Sequence, residues 1–492
     1  MNDKLANKIL FAFILLTIIF KIYLVLQTPS ISYDSYYGMR YAEYFHENFL
    51  PMVSDDLSYQ GRLSITNIPF YMIVSLFTFI IPALIFFKYI GILFGAYLIY
   101  LIYKITQKLF NNQTISLIIT FIAGMMQTIF LFSLNSFSSI TVFSVLFLLL
   151  IWEFINLENK SNLKAFMLFF ILATIITPYS IIVVLGFIVY FLLLKFNSLP
   201  IRKSTIDVFI FSSLFSIWYH LIIYKMALIR SGPSVIWQNI PQELISLSYQ
   251  KLTILSALFF IGFVPLVLGL IGMYQTIFVK RKRLLILISS FTFVFVMLLA
   301  LGILPLNEGI FLLLICLILL SANGLASILE YLDLTLFSKL KKVVLFLILV
   351  FVLLNFLPII LSTDVLTASS PNLDELNTMK FIQENTPDDV TILGDVVEGH
   401  FISYASNRKN FYDENFFQMK NADQKFADAK SIFLSKSKVQ VVEQMKYYDI
   451  KYIYFSKLIF DKYQNVNFLI REDSCFKKIF STNTTEVFEL IC

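Results

Sequence analysis

The segment ISYDSYYGMRYAEYF, residues 31–45, places three charged side chains among five tyrosines directly after an apolar run. The candidates for chemistry between residues 31 and 62 are Asp34, Glu43, His46, Asp55, Asp56, Tyr59 and Arg62. A carboxylate can accept a proton as a general base, and carboxylate oxygens bind divalent cations. A guanidinium group binds phosphate oxygens bidentately. This stretch therefore carries the groups needed for proton transfer beside a phosphate.

The spacing of aromatic residues indicates how this segment is held. Tyr37, Tyr41, Tyr44 and Phe45 recur at helical spacing and would form one apolar face of a short amphipathic helix. Asp34 stands at the amino end of that helix, where its carboxylate could cap free backbone amides. Two interpretations of Asp34 follow, a helix cap and a chemical group.

Composition defines the class of protein that surrounds these residues. Of 492 residues, 58% are hydrophobic and 14% are charged, and the mean hydropathy is +0.79. Soluble domains carry roughly 25% charged residues, so we predict an α-helical polytopic membrane protein. The net charge of +6 comes from Lys and Arg in short loops between apolar segments, as expected for cytoplasmic loops. We therefore predict no nucleic-acid partner.

Apolar runs and charge give the expected organisation. Twelve runs approach the roughly 20 residues that cross a bilayer, and we predict about 11–13 transmembrane helices in residues 1–361. Residues 362–492 are polar and predict a soluble α/β domain. With the basic loops cytoplasmic, residues 28–67 form the first extracytoplasmic loop of a multi-pass cell-membrane protein whose C-terminal domain is also extracytoplasmic. Residues 68–103 must then cross once, so 68–84 is expected to be a shallow or re-entrant element.

The C-terminal segment predicts alternating helices and strands. A helix over 373–386 ends at Pro387, and strands are expected at 389–395 and 450–455. A β-hairpin is expected near the C-terminus, with its turn at 481–484. That register does not place Cys475 opposite Cys492, so no disulfide between them is expected.

Two segments resemble a known family. YDSYYGMRYAEYF, then DDLSYQGR and a proline-led apolar run, resemble the first extracytoplasmic loop of the GT-C glycosyltransferases. TPDDVTILGDVVEGHFISYASNRKNFYDENF is similar to the stretch of oligosaccharyltransferase catalytic subunits that contains Trp-Trp-Asp-Tyr-Gly. Gly399, Ile402, Arg408 and Asp413 fall at matching places, whereas residues 395–398 replace the tryptophan motif. Because that motif holds the Asn-X-Ser/Thr acceptor, its absence argues against transfer to such a sequon.

The resemblance implies a function and a set of site residues. It implies inverting transfer of a sugar from a polyprenyl- or dolichyl-phosphate-linked donor to an acceptor lipid, glycan or protein, with Asp34 as general base or metal ligand. The implied substrate-binding residues are Arg62, Tyr59, Arg230, Glu398, His400 and Arg408. A divalent metal, Mg²⁺ or Mn²⁺, would use Asp34, Asp55 and Asp56. The second loop, LFSLNSFSSI, lacks the carboxylates that bind metal in the oligosaccharyltransferases, which argues against metal dependence.

Two other functions remain open at the level of sequence. The first is a lipid or glycan transporter or flippase. Such proteins carry ionisable residues within the membrane, but here that residue is chiefly Lys21 and the chain shows no internal repeat. The second is a catalytically inactive relative that binds polyprenyl lipids. The absence of second-loop carboxylates is the feature that favours this inactive relative.

Overall fold

A computed structural model describes most of the chain, namely residues 3–58, 61–63, 67–225, 228–229, 253–335, 338–361, 369–415, 421–435, 437–463 and 474–492. The chain forms two compact units, each assembled from separated segments. The first unit comprises Met1–Val25, Lys88–Ile223 and Leu247–Thr363. The second comprises Leu26–Phe87, Tyr224–Ser246 and Asp364–Cys492. The predicted first extracytoplasmic loop therefore belongs to the same unit as the C-terminal segment.

The secondary structure is largely helical. In chain order the helices are α1 (Asp3–Leu26), α2 (Ser35–Asn48), α3 (Ile68–Thr78), α4 (Ala83–Phe110), α5 (Gln113–Met125), α6 (Gln127–Phe132), α7 (Ser139–Ile155), α8 (Lys160–Ile176), α9 (Ser180–Phe196), α10 (Lys203–Ile223), α11 (Ile254–Ile261), α12 (Phe263–Tyr274), α13 (Arg283–Ala300), α14 (Leu306–Leu334), α15 (Lys341–Leu361), α16 (Leu373–Asn385), α17 (Gly399–Ser406), α18 (Ala422–Leu434), α19 (Lys438–Tyr447) and α20 (Lys457–Lys462). The strands are β1 (Ser54–Asp55), β2 (Arg62–Leu63), β3 (Thr391–Leu393), β4 (Lys409–Asn410), β5 (Ile450–Phe455), β6 (Phe476–Ser481) and β7 (Glu486–Leu490).

The first unit is a helical bundle of membrane-protein character. Across the described residues, seven helices are long and apolar enough to cross a membrane, and shorter apolar helices accompany them. Helix α14 lies at the centre, since its residues from Leu306 to Ala326 are almost all buried. A Cβ atom at Gly324 would lie 2.1 Å from the Leu268 carbonyl oxygen of α12, so the two backbones approach closely, as small residues allow in membrane helices. The prediction of an α-helical polytopic membrane protein is confirmed.

Residues 68–103 provide a single long helix, as the charge pattern requires. Helix α3 has 11 residues, and at 1.5 Å per residue it is about 16 Å long. The hydrocarbon core is about 30 Å thick, so α3 is too short to cross it. Helix α4 has 28 residues and is long enough. Helix α3 packs on α2 inside the second unit, where the imidazole of His46 lies 2.9 Å from the Ser75 carbonyl oxygen.

The C-terminal segment contains the small α/β domain that was predicted. Its five strands have the order β4-β3-β5-β7-β6, with β4, β3 and β5 parallel and the last two pairings antiparallel. Helix α16 begins with a capping box between Asn372 and Glu375, which explains why it starts at Leu373. Strand β5 covers the predicted residues 450–455. Helices α18 and α19 precede this strand.

One prediction for this domain is wrong, because Cys475 and Cys492 form a disulfide with their Cα atoms 5.0 Å apart. Strand β6 ends at Ser481 and β7 begins at Glu486, which moves the turn by one residue from the predicted position. A register shift between Lys478 and Phe480 then pairs Phe476 with Leu490. Cys475 consequently lies next to the last residues of β7, within the Cα separation that a disulfide requires.

The first loop extends this sheet. Ser58 forms a parallel bridge with Asn410 of β4, and the Asn410 amide donates a hydrogen bond to the Leu57 carbonyl oxygen at 2.8 Å. The Ser403 hydroxyl of α17 donates to the same carbonyl at 3.1 Å. Because an edge strand exposes unpaired backbone groups, residues 57–58 cover the β4 edge and join the loop to the domain.

Candidate functional site

Asp34 is the exposed member of a buried segment. Apart from Asp34, all residues from Ser30 to Ala42 are buried. A turn fixes the backbone, because the Ser35 amide donates to the Ser32 carbonyl at 3.0 Å and the Tyr36 amide donates to the Tyr33 carbonyl at 3.2 Å. A carboxylate carried on such a rigid turn is held in one place, which catalysis requires of its functional groups.

The carboxylate of Asp34 does not act as a helix cap. Asp34 is the residue before α2, yet its side chain accepts no capping hydrogen bond, and its backbone is already helical, with φ −60° and ψ −30°. Capping residues normally have an extended backbone that turns the side chain onto the amides. The capping interpretation is therefore wrong, and the carboxylate is available for another role.

The partner of Asp34 is Glu414, far away in sequence. The two side chains are hydrogen-bonded to each other, so one of the carboxyl groups carries a proton. Burial raises the pKa of Glu414 well above its usual range, and the negative charge of Asp34 raises it further. The pKa of Asp34 is also raised because surrounding protein displaces bulk water, while the hydrogen bond with Glu414 lowers it. Both directions favour one proton shared between the carboxyl groups of Asp34 and Glu414.

The tyrosines around Asp34 attach this segment to the C-terminal domain. The Tyr33 hydroxyl donates to Glu375 Oε2 at 3.0 Å. The Tyr36 ring lies 5.1 Å from Phe401 and 5.5 Å from Tyr404, centroid to centroid. Aromatic pairs at such separations stabilise packing beyond the area that they bury. The aromatic residues beside Asp34 therefore hold its turn against α16 and α17.

The same unit contains a buried network of charged side chains. Arg40 forms an ion pair with Asp55, and Arg62 Nη2 lies 3.5 Å from an oxygen of Asp55 and 3.5 Å from an oxygen of Asp413. Arg62 Nη1 also donates to the Asn415 carbonyl at 2.7 Å, and the Ser58 hydroxyl donates to Asp413. Buried charges are costly unless paired in this way. Arg62, predicted to bind the donor phosphate, is therefore placed in a structural ion pair.

The network fixes the ionisation of its members. Although burial opposes ionisation, the charge of Arg62 and hydrogen bonds from the Ser58 hydroxyl and the Asn415 backbone amide hold the pKa of Asp413 below its usual range. Burial lowers the pKa of His400 to about 4, so its ring is neutral at neutral pH. The side-chain nitrogen Nδ2 of Asn415 lies 3.1 Å from His400 Nε2. At neutral pH the network thus contains an ionised Asp413 beside a neutral His400.

Other predicted substrate-binding residues are also buried in the domain. Glu398 accepts a hydrogen bond from the Asp395 amide at 3.1 Å and closes a capping box with Asp395. Arg408 donates to the Thr386 carbonyl at 2.6 Å and is 2.9 Å from Asp388. Like His400, both residues are buried. Of the remaining predicted residues, Tyr59 and Arg230 lie outside the described part of the chain.

The three predicted metal ligands do not form one donor set. Asp55 is buried against Arg40, whereas Asp56 is exposed and accepts a hydrogen bond from Ser54 at 3.0 Å. Within the ranges that the structure describes, no three His, Cys, Asp or Glu side chains are grouped so that they could hold a metal ion. A Mg²⁺ or Mn²⁺ site built from protein carboxylates normally needs several oxygen ligands around one point. The donor set of Asp34, Asp55 and Asp56 does not fit such a site.

Sequence reasoning missed the residue that the structure brings to Asp34. Glu414 follows Asp413, which the sequence did single out, and adjacency to Asp413 was its only signal. The first residue of α17 must be small, because a Cβ atom at Gly399 would lie 2.3 Å from the Tyr412 carbonyl oxygen. A larger residue at 399 would therefore displace the backbone that leads to Glu414.

Solved structures of similar fold were found. The archaeal oligosaccharyltransferase AglB from Archaeoglobus fulgidus, in complex with an inhibitory peptide and a dolichol-phosphate, is similar with a TM-score of 0.66 at 12% identity, over 91% of this chain and 69% of that chain. ArnT from Cupriavidus metallidurans, bound to undecaprenyl phosphate, gives 0.58 at 10% identity, over 99% of this chain and 98% of that one. The arabinofuranosyltransferase AftD from Mycobacteria gives 0.58 at 11% identity, over 100% and 40%. No family model matches the chain, and no curated protein sequence matches it.

Proposed function

From the premise that the chain has the fold of the GT-C glycosyltransferases, as its loop and tail segments predicted, we propose that it is a membrane glycosyltransferase. It takes a sugar from a polyprenyl-phosphate-linked donor and transfers it to an acceptor hydroxyl on the extracytoplasmic face. The observation that carries the proposal is Asp34, whose carboxylate stands on a hydrogen-bonded turn of the first loop and is paired with the carboxyl group of Glu414. An inactive lipid-binding relative would not need this arrangement.

The proposed reaction is a single displacement with inversion at the anomeric carbon. The acceptor oxygen forms a bond to that carbon while the bond from the carbon to the donor phosphate oxygen breaks, and the phosphate leaves with the electron pair. The hydroxyl proton passes to the Asp34 carboxylate, which acts as general base. Glu414 keeps Asp34 ionised by donating to it, since this hydrogen bond lowers the Asp34 pKa.

Two observations support a lipid-linked donor and an extracytoplasmic site. The related structures were obtained with a dolichol-phosphate and with undecaprenyl phosphate. The Cys475–Cys492 disulfide supports the location, because disulfides persist in oxidising compartments and are rare in the cytosol. The C-terminal segment, and with it Glu414 and Asp34 of the same unit, would then face the extracytoplasmic side. The acceptor differs from an Asn-X-Ser/Thr sequon, because residues 395–398 replace the tryptophan motif.

The experiment that tests glycosyl transfer compares cells lacking the chain with cells in which it is restored. Lipids, glycans and surface proteins of both are profiled by mass spectrometry. A product that gains one sugar only when the chain is present is expected, together with the donor lipid accumulating in its absence. If a glycan or lipid instead changes sides of the membrane without changing composition, the chain is a transporter. No difference in any fraction would contradict both functions.

A second expectation concerns the pH dependence of the reaction. Replacing Glu414 by Ala removes the hydrogen bond that lowers the pKa of Asp34. The Asp34 pKa then rises, so the acidic limb of the kcat/KM profile moves to higher pH. Glu414→Gln retains a neutral donor and is expected to keep the limb close to that of the parent protein. The measurement is the initial rate of product formation in isolated membranes over a pH series.

Glu47→Ala is the matched control for that series. Glu47 is exposed on α2, and its removal is expected to leave the profile unchanged. A purely structural role for Glu414 would lower the rate equally at every pH in both Glu414 variants. An unshifted acidic limb in Glu414→Ala would therefore disprove the proposed coupling to Asp34.

A further inference from the structure

A cavity lies in the first unit, separate from the residues around Asp34. Its volume is about 440 Å³, and it is enclosed by the end of α4, the ends of α7 and α9, and the beginnings of α10 and α13. Four of its lining residues are cationic, namely Lys108, Arg202, Lys282 and Arg283. Apolar side chains such as Leu157 and the aromatic ring of Tyr190 line the rest.

The charge of this cavity is largely uncompensated. The residues that line it include no carboxylate. Arg202 is 2.7 Å from Glu158 outside the cavity, but both side chains of that pair are more than half exposed, at 51% and 69%. Exposed ion pairs of this kind contribute little. The lining therefore presents a strong positive potential.

The beginning of α13 adds to this potential. Lys282 precedes the helix, and its side chain caps none of the free amides at the helix start. The following residues, 283–285, line the cavity. The amino end of a helix carries a partial positive charge and free N–H groups, which favour bound anions. The amino end of α13 and the cationic side chains thus both favour an anionic ligand.

We propose that this cavity binds a phosphate-bearing anion, and that the ligand is the headgroup of an acidic phospholipid. The cations would contact the phosphate while the apolar lining accommodates the start of an acyl chain. Basic pockets between transmembrane helices are known to bind acidic headgroups on the cytoplasmic side, and all four cations belong to loops that the charge pattern assigns to that side. The site is independent of the glycosyl transfer proposed for Asp34.

The test uses the purified full-length protein and native mass spectrometry. Phosphatidylglycerol and phosphatidylcholine are added in equal amounts to the parent protein, to Lys282→Gln/Arg283→Gln and to Lys160→Gln/Lys164→Gln. The last variant is the matched control, because Lys160 and Lys164 are exposed on α8 and do not line the cavity. The parent and the control are expected to retain phosphatidylglycerol selectively. The cavity variant is expected to bind it on the order of thirtyfold more weakly, since each of the two basic residues contributes about 1 kcal/mol near an acidic headgroup.

Two further arms identify the source of the phosphate and guard against a folding defect. The charge-conserving variant Lys282→Arg/Arg283→Lys is expected to retain the lipid, which separates loss of charge from loss of structure. Inorganic phosphate at millimolar concentration is expected to leave the melting temperature unchanged. If it raises the melting temperature of the parent but not of the cavity variant, the phosphate site stands and the lipid assignment is overturned. Equal phosphatidylglycerol binding by the cavity variant and the control overturns the site itself.

Discussion

Replacing Asp34 by Asn is expected to reduce the rate of glycosyl transfer by a factor of about one hundred to ten thousand, the range that general-base catalysis contributes. Asn has the shape of Asp but cannot accept the hydroxyl proton. The amide can still accept a hydrogen bond from Glu414, and the side chain is exposed and caps no helix. The melting temperature is therefore expected to stay unchanged. The measurement is the initial rate of product formation in membranes, normalised to the amount of folded protein.

Asp56→Asn provides the control and also addresses the metal. Asp56 is an exposed carboxylate of the same loop, and its hydrogen bond comes from the neighbouring Ser54. A rate within about twofold of the parent is expected, because surface substitutions away from a site have small effects. If Asp56→Asn lowers the rate as much as Asp34→Asn, the loop carboxylates act together and the single-base mechanism is wrong.

The largest effect on stability is expected for Asp413→Asn. This change removes one negative charge from a buried network and takes from Arg62 the Asp413 carboxylate 3.5 Å away. Breaking a buried pair from one side typically costs about 3–5 kcal/mol, because the remaining charge stays desolvated. Faster hydrogen exchange of the peptides covering α2 and α17 is expected, together with a lower melting temperature. Asp389→Asn is the control, since Asp389 pairs with Lys409 at the surface.

The same network predicts acid sensitivity. The pKa of His400 is about 4 in the folded chain and about 6.5 when unfolded, so the unfolded state binds the proton first as the pH falls. The contribution of neutral His400 to the free energy of unfolding is therefore complete above pH 6.5 and is lost between about pH 6.5 and 4. Asp413, whose pKa is lowered, adds a loss at still lower pH. A melting temperature that is constant from pH 7 to pH 4 would contradict this account of the network.

Local patterns predicted what depends on local interactions. The spacing of Tyr37, Tyr41 and Phe45 gave helix α2, and it also placed Asp34 at the turn where the structure has it. The strand at 450–455 is a short apolar run, and the helix from Leu373 begins at a capping box. These features require only neighbours within a few residues, which a single sequence displays.

The sequence does not reveal the partners of side chains that are distant along the chain. Arg62 has the chemistry of a phosphate ligand, and only the fold reveals that Asp55 and Asp413 surround it. Glu398 and His400 look like surface residues in a polar tail, but α17 packs under the first loop and buries them. Glu414 was missed for the converse reason, because its partner Asp34 lies near the other end of the chain.

The bridge between Ser58 and β4 has a consequence for biosynthesis. Ser58 and Asp413, which contact each other, are separated by 355 residues. At 5–20 residues per second, translation needs roughly 20–70 s to produce the second after the first. During that interval residues 57–58 have no strand β4 to join, and Tyr33 and Tyr36 lack the helices α16 and α17 on which they pack. The proposed site is thus incomplete while the membrane helices insert, and Asp34 meets Glu414 only once the tail has been translated.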